Sequence, residues 1–129
     1  MRHPDIYIAQ SFEKGRGVFA KAAIPADSIL EIAPVILLSA IDRKKIDQTI
    51  LYNYIFEWPA LEERGACMAL GWVPIFNHAS PSNCEYCMHW DEQTIEVKTV
   101  KNIQAGEELF INYNGDWFDE HSPVWFPKK

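Results

Sequence analysis

Ile75-Phe76-Asn77-His78-Ala79-Ser80-Pro81-Ser82-Asn83, followed downstream by Glu107-Glu108-Leu109-Phe110-Ile111-Asn112-Tyr113, is the part of the chain on which its fold turns. An Asn-His pair enters a Ser-Pro-Ser-Asn turn where the backbone cannot stay extended, so amide and imidazole groups must find partners in the fold or in a ligand. In the second stretch a period of two puts Leu109, Ile111 and Tyr113 on one strand face and Phe110 and Asn112 on the other. Tyr113 therefore points where the apolar residues point. At a strand end, beside Asn114-Gly115, its ring can be held by packing while its hydroxyl faces a cavity.

Outward from these stretches the chain reads as short strands separated by turns. Ile6-Tyr7-Ile8-Ala9 is a strand, and Gly15-Arg16-Gly17 turns the chain into a second one at Val18-Phe19-Ala20. Ile24-Pro25-Ala26-Asp27 is a turn before a strand over Ile29 to Ile32, echoed by Ile103-Gln104-Ala105-Gly106 before Leu109. Ile95-Glu96-Val97-Lys98 alternates as a half-exposed strand does. Ser39 to about Ile50 has helical character, with Ser39 as N-cap, Asp42 three residues on, and Ile46 and Ile50 one turn apart. Tyr52, Tyr54, Phe56 and Trp58 alternate like a strand, while Ile50, Tyr54 and Trp58 recur like a helix; the strand reading is preferred. The sum is a mainly β fold of small curved sheets.

The 129 residues, 48% of them hydrophobic, amount to one domain with one core. No apolar stretch is long enough to cross a bilayer and no signal-peptide core follows Met1, so an intracellular, cytoplasmic protein without membrane attachment is expected, or a nuclear one in a eukaryotic source or host. Cys67, Cys84 and Cys87 do not form a secreted disulfide framework. Cys84-x-x-Cys87 with His89 nearby lacks the second pair of a structural zinc site, and two reduced cysteines are expected. Twelve Lys+Arg against eighteen Asp+Glu give a formal charge of −6, which argues against direct nucleic-acid binding and is compatible with a basic peptide partner.

Taken with Gly15-Arg16-Gly17-Val18-Phe19-Ala20, the two opening stretches resemble the SET-domain methyltransferases. The likeness runs from about Gly15 to Trp117 within a single SET domain over 1–129. Met68-Ala69-Leu70-Gly71 through Asn77-His78 is similar to the minimal SET proteins of large DNA viruses. The glycine segment also fits the G-x-G-x-x-[GA] dinucleotide fingerprint, but Pro25 stops any helix there and the alternating strand and helix pattern is absent, so the Rossmann reading is rejected. The resemblance implies several small sheets, one or two short helices and a C-terminal pseudoknot. It also implies transfer of a methyl group from S-adenosyl-L-methionine to a lysine amine of a protein or basic peptide.

The resemblance also distributes roles. Gly15 and Gly17 would let backbone approach the cofactor, and Arg16 would either reach the cofactor carboxylate or point into solvent. Asn77 and His78 would hold the cofactor, with Asn83 buttressing their loop; without the motif, the pair would read as a turn Asn and a core-edge His. Tyr113 would be the main catalytic residue, against the alternative of a core tyrosine bonded to backbone. Tyr54 would be a second tyrosine lining the lysine channel, or simply core. Ile111 stands where the family tends to have Phe or Tyr limiting the number of methyl groups. Trp117 would wall the channel or stack near the adenine, and Trp125 in the tail could cover it or merely pack. The family's zinc cluster is not expected, because Ala79 replaces the usual Cys and the C-terminal tail has none. A non-catalytic SET-like module that binds cofactor or a lysine peptide is the competing reading, and a purely structural β domain a third. The viral relatives associate in pairs, which by analogy leaves a homodimer open for this chain.

Overall fold

A computed structural model of the chain describes residues 1–12 and 15–119. Strands β1 (Ile6–Gln10) and β2 (Arg16–Ala20) form the hairpin expected at the N-terminus, in register from Ile6↔Ala20 to Gln10↔Arg16. β3 spans Ile29–Leu38, far longer than the four residues expected, because it serves two partners in succession. It pairs with β8 (Thr94–Thr99) along Ile29–Pro34 and with β5 (Ala66–Ala69) along Val35–Leu38. With β4 (Phe56–Glu57) and β7 (Cys84–His89) these strands make a sheet of order β4-β5-β3-β8-β7. β6 (Asn77–His78) and β9 (Glu108–Ile111) complete a second sheet of order β1-β2-β9-β6.

The two similar turns face each other. Ile24 N donates to Ile103 O at 3.0 Å and Ile103 N donates to Ile24 O at 2.8 Å, so one turn supplies the backbone partners of the other. Val18, Leu30, Phe76, Ile95, Val97, Leu109 and Ile111 are fully enclosed in a core shared by both sheets. Burying each such side chain stabilises the fold by about 1.5–3 kcal/mol.

Two local expectations need correction. Helix α1 covers Ala40–Ile46 rather than reaching Ile50, although Ser39 caps it as expected, its hydroxyl accepting from Asp42 N at 3.1 Å. Thr49 ends it. Its hydroxyl donates to Ile46 O at 2.7 Å and accepts from Leu51 N at 3.2 Å, closing α1 and opening a 3-10 turn over Ile50–Asn53. Ile50 is 73% exposed, so the Ile46–Ile50 spacing was not a core stripe. The strand preferred for Tyr52 to Trp58 is also wrong, since only Phe56–Glu57 is extended and Tyr54 N donates to Leu51 O. Burial does not alternate there either: Ile55, Phe56 and Trp58 are buried while Tyr52 and Tyr54 are half-buried, so the period-two spacing of aromatics marked neither the backbone nor one inward face.

The chain beyond β9 is locked to the loop that leaves β6. β6 runs parallel to β9, with Asn77↔Phe110 and His78↔Ile111, and Ala79 N donates to Ile111 O at 3.2 Å. Asn83 then clasps β9 with both ends of its amide, Nδ2 donating to Glu108 O at 2.9 Å and Oδ1 accepting from Phe110 N at 2.7 Å. Ser82 N donates to Trp117 O at 2.8 Å, and Asn112 Nδ2 donates to Asp119 O at 2.6 Å. This interlocking of loop 79–83 with segment 108–119 is the pseudoknot that the resemblance implies.

Candidate active site

The parallel contact between β6 and β9 sets Asn77-His78 beside Tyr113. His78 is buried, and its Nδ1 accepts from Tyr113 N at 3.0 Å. A backbone N–H can only donate, so in the neutral ring the proton sits on Nε2, which donates to Ser80 Oγ at 3.1 Å. The imidazole thereby ties the backbone of Tyr113 to the loop. The rings of His78 and Tyr113 lie 5.0 Å apart.

Tyr113 is 7% exposed, and its hydroxyl donates to Phe76 O at 2.8 Å. Burial, reinforced by neighbouring Tyr54 and Glu108, pushes the phenol above its usual value near 10. The phenol is therefore neutral at physiological pH. With its proton directed at a carbonyl, the oxygen offers only lone pairs to anything else in reach. Tyr54 sits at the end of the 3-10 turn, close enough to act on that titration.

Of the glycine segment, Gly15 adopts φ +72 and its carbonyl accepts from Ser11 N at 2.6 Å, which closes the hairpin. No described atom lies within 4 Å of where its Cβ would be, so the requirement for glycine there is conformational. Gly17 is a different case. A Cβ there would collide with Glu108 Oε2 and Asn77 Nδ2. Its missing side chain makes room for these two protein groups. The Arg16 side chain is exposed, while its carbonyl accepts from Asn77 Nδ2 at 3.1 Å.

The structure thus brings Arg16, Gly17, Asn77, His78, Tyr113 and Tyr54 to one region. Ile111 is wholly buried on the strand face it shares with Leu109, two residues before Tyr113. The half-buried Trp117 ring has contacts at 5.7 Å to Phe118 and at 5.8 Å to the Lys101 ammonium. Trp125 lies outside the described residues.

Three polar groups of this region escaped the sequence reading. Glu108 accepts from Ser11 Oγ at 2.6 Å and from Asn77 Nδ2 at 2.8 Å; it is one of many strand-edge acids by pattern alone. Asn112 is buried, and its Oδ1 accepts from Asn114 N at 3.0 Å, shaping the turn after Tyr113. Tyr86 donates to Tyr113 O at 3.1 Å and packs edge-on against Phe56 with ring centres 5.1 Å apart. Burial first, then Glu57, Cys67 and Asp116, push its phenol above the usual value. The inward alternation of Cys84, Tyr86 and Met88 on β7 was the available signal.

Cys84 and Cys87 lie on one strand at odd spacing and so on opposite faces, one buried and one exposed, which cannot chelate a single ion. No group of His, Cys, Asp or Glu among the described residues could hold a metal.

Residues 15–114 match the family model for the SET domain. The "Histone-lysine N-methyltransferase, H3 lysine-37 specific" of Schizosaccharomyces pombe is 35% identical over 118 residues, covering 89% of this chain and 78% of that protein. The chain belongs to the SET-domain family. It is accordingly a protein-lysine N-methyltransferase that uses S-adenosylmethionine. Among solved structures, a Plasmodium falciparum protein proposed to be a histone methyltransferase superposes with a TM-score of 0.64 at 25% identity, over 91% of this chain and 99% of that one. Polycomb Repressive Complex 2 of Chaetomium thermophilum, autoinhibited and bound to S-adenosylmethionine, superposes with a TM-score of 0.69 at 25% identity, over 84% of this chain and 15% of that one. The groups gathered here fit that cofactor. The Glu108 carboxylate and the Tyr113 lone pairs favour a cation, and Asn77 and Arg16 join the segments around it.

Proposed function

We propose that Tyr113 is the catalytic tyrosine of this methyltransferase, that Arg16, Gly17, Asn77 and His78 form the cofactor side of its site, and that Tyr54, Ile111 and Trp117 line the lysine side. The observation that carries the assignment is the Tyr113 hydroxyl, whose proton is held by Phe76 O at 2.8 Å. An oxygen so fixed is an acceptor and orienting group, not a base. When bound, S-adenosylmethionine supplies an electrophilic methyl group on a sulfonium. The target lysine, with a free pKa of about 10.4, must reach its neutral form before attack. A site walled by Tyr54 and Tyr113 disfavours the ammonium through desolvation and holds the amine in line for transfer. Ile111 stands where the family tends to place an aromatic, so the number of methyl groups transferred is a property the assay below reads directly.

The substrate we infer is a lysine in a basic histone-type tail. The −6 charge and the H3-specific relative support it, and the protein would then act in the nucleus. A homodimer is part of the same reading. So is one SET unit over 1–129, which a single core spanning both sheets supports. No helix among the described residues is long and apolar enough to cross a membrane.

The direct test is transfer of a labelled methyl group to a panel of basic peptides including histone H3 tails, with mass spectrometry to count methyls. Labelling of lysine is expected. Tight binding of S-adenosylhomocysteine without labelling of any peptide or lysate would favour the non-catalytic module instead.

A further inference from the structure

We propose that Glu108 is a positioning residue of the cofactor site that also selects by charge: it fixes the face Asn77 presents and makes the site prefer a cationic methyl donor to its neutral product. The inference rests on the cofactor reading above.

Glu108 opens β9, where donors from two segments remote in sequence converge on its carboxylate. Ser11 of the hairpin loop donates to Oε1 at 2.6 Å, and Asn77 Nδ2 donates to Oε2 at 2.8 Å. The second Nδ2 hydrogen goes to Arg16 O at 3.1 Å. An amide nitrogen has two hydrogens, so both are occupied. Flipping the amide would set its oxygen against a carboxylate and a carbonyl, so Oδ1 is held away from these two acceptors. Gly17 leaves the space that Oε2 fills. This network would explain the Gly-x-Gly, Asn-His and Glu-Leu segments as parts of one clamp.

A glutamine with its oxygen towards Asn77 would keep both contacts once the Ser11 hydroxyl turned to accept from its Nε2; the charge is an additional property. Among the described residues, no Lys, Arg or His forms an ion pair with Glu108. Glu108 also lies near Tyr113, whose phenol it helps keep protonated after burial and Tyr54. A carboxylate that no described cation pairs with attracts a sulfonium and is indifferent to the thioether left after transfer. The donor is thus held more firmly than the product, which aids exchange after each turnover.

The experiment is calorimetric titration of S-adenosylmethionine and S-adenosylhomocysteine into the wild type, Glu108→Gln and Ser11→Ala, each with a thermal melt. In Glu108→Gln the ratio Kd(product)/Kd(donor) should fall roughly three- to tenfold, the exposure of the carboxylate keeping the effect modest. Ser11→Ala keeps the charge and should weaken both ligands alike, leaving the ratio within about twofold. A variant-free arm covers misfolding: raising salt from about 50 to 500 mM should lower the wild-type ratio by screening. An unchanged ratio in a folded Glu108→Gln, or a wild-type ratio indifferent to salt, overturns the inference while leaving the enzyme assignment standing. A wild type that binds neither ligand overturns the cofactor reading, and the inference with it.

Discussion

Tyr113→Phe separates chemistry from packing more cleanly than any other single change. It removes one oxygen from a ring that is 7% exposed and leaves the ring in place. On the stability side the loss is the 2.8 Å bond to Phe76 O, about 1 kcal/mol for a typical hydrogen bond and up to about 3 if the carbonyl is left unsatisfied. Unfolding 129 residues at about 2.1 cal/mol/K each gives an entropy near 270 cal/mol/K, so each kcal/mol lowers Tm by about 4 °C. On the catalytic side, removing a preorganised polar group from the site of charge movement costs about 10²–10³ in kcat, equivalent to about 2.7–4 kcal/mol of barrier. The assay is steady-state methyl transfer to the best peptide beside a thermal melt. The expected outcome is a Tm lower by about 4–12 °C with kcat reduced at least about a hundredfold at saturating peptide and cofactor. A variant with the lower Tm but kcat within about threefold of wild type would make the hydroxyl a strut for Phe76, and the catalytic assignment would be wrong.

Asn83→Ala should remove both bonds to β9, at 2.9 and 2.7 Å, and destabilise the fold by about 2–4 kcal/mol in urea unfolding; a loss below about 1 kcal/mol would show that water replaces the amide. Native thiol titration near pH 8 should modify Cys87 alone, with Cys67 and Cys84 reacting only after unfolding, because burial pushes the Cys67 thiol up to about 12 and raises Cys84 as well. The same shift fixes the sign of the alkaline limb. An unfolded thiol loses its proton near 9 while the folded one keeps it, so stability should decline as pH rises from about 9 towards 12, and a flat profile there would contradict the burial effect.

Legibility differed from element to element. The alternation of Leu109, Ile111 and Tyr113 predicted their common inward face, and all three are buried. The Ser39 cap was readable because capping depends on residues three apart in sequence. The end of α1 was not, since Thr49 acts on two neighbouring turns and apolar spacing does not encode that competition. Gly17 was legible as a position needing glycine, but not that it clears Glu108, 91 positions away.

By itself, then, the sequence determined the mainly β character and the family, and singled out Tyr113 as the tyrosine proposed for catalysis. These depend on local periodicity, turn chemistry and motifs that keep their order along the chain. Only the tertiary structure decided that Asn83 would clasp β9, that Tyr86 would donate to the Tyr113 carbonyl, that Ser11 and Asn77 would meet at Glu108, and that Asn77 would also reach Arg16. The physical reason is that a polar side chain shows its chemistry in the sequence but not its partner. In a fold whose C-terminal segment is interlocked with an earlier loop, those partners lie tens of residues away, and packing alone chooses among them.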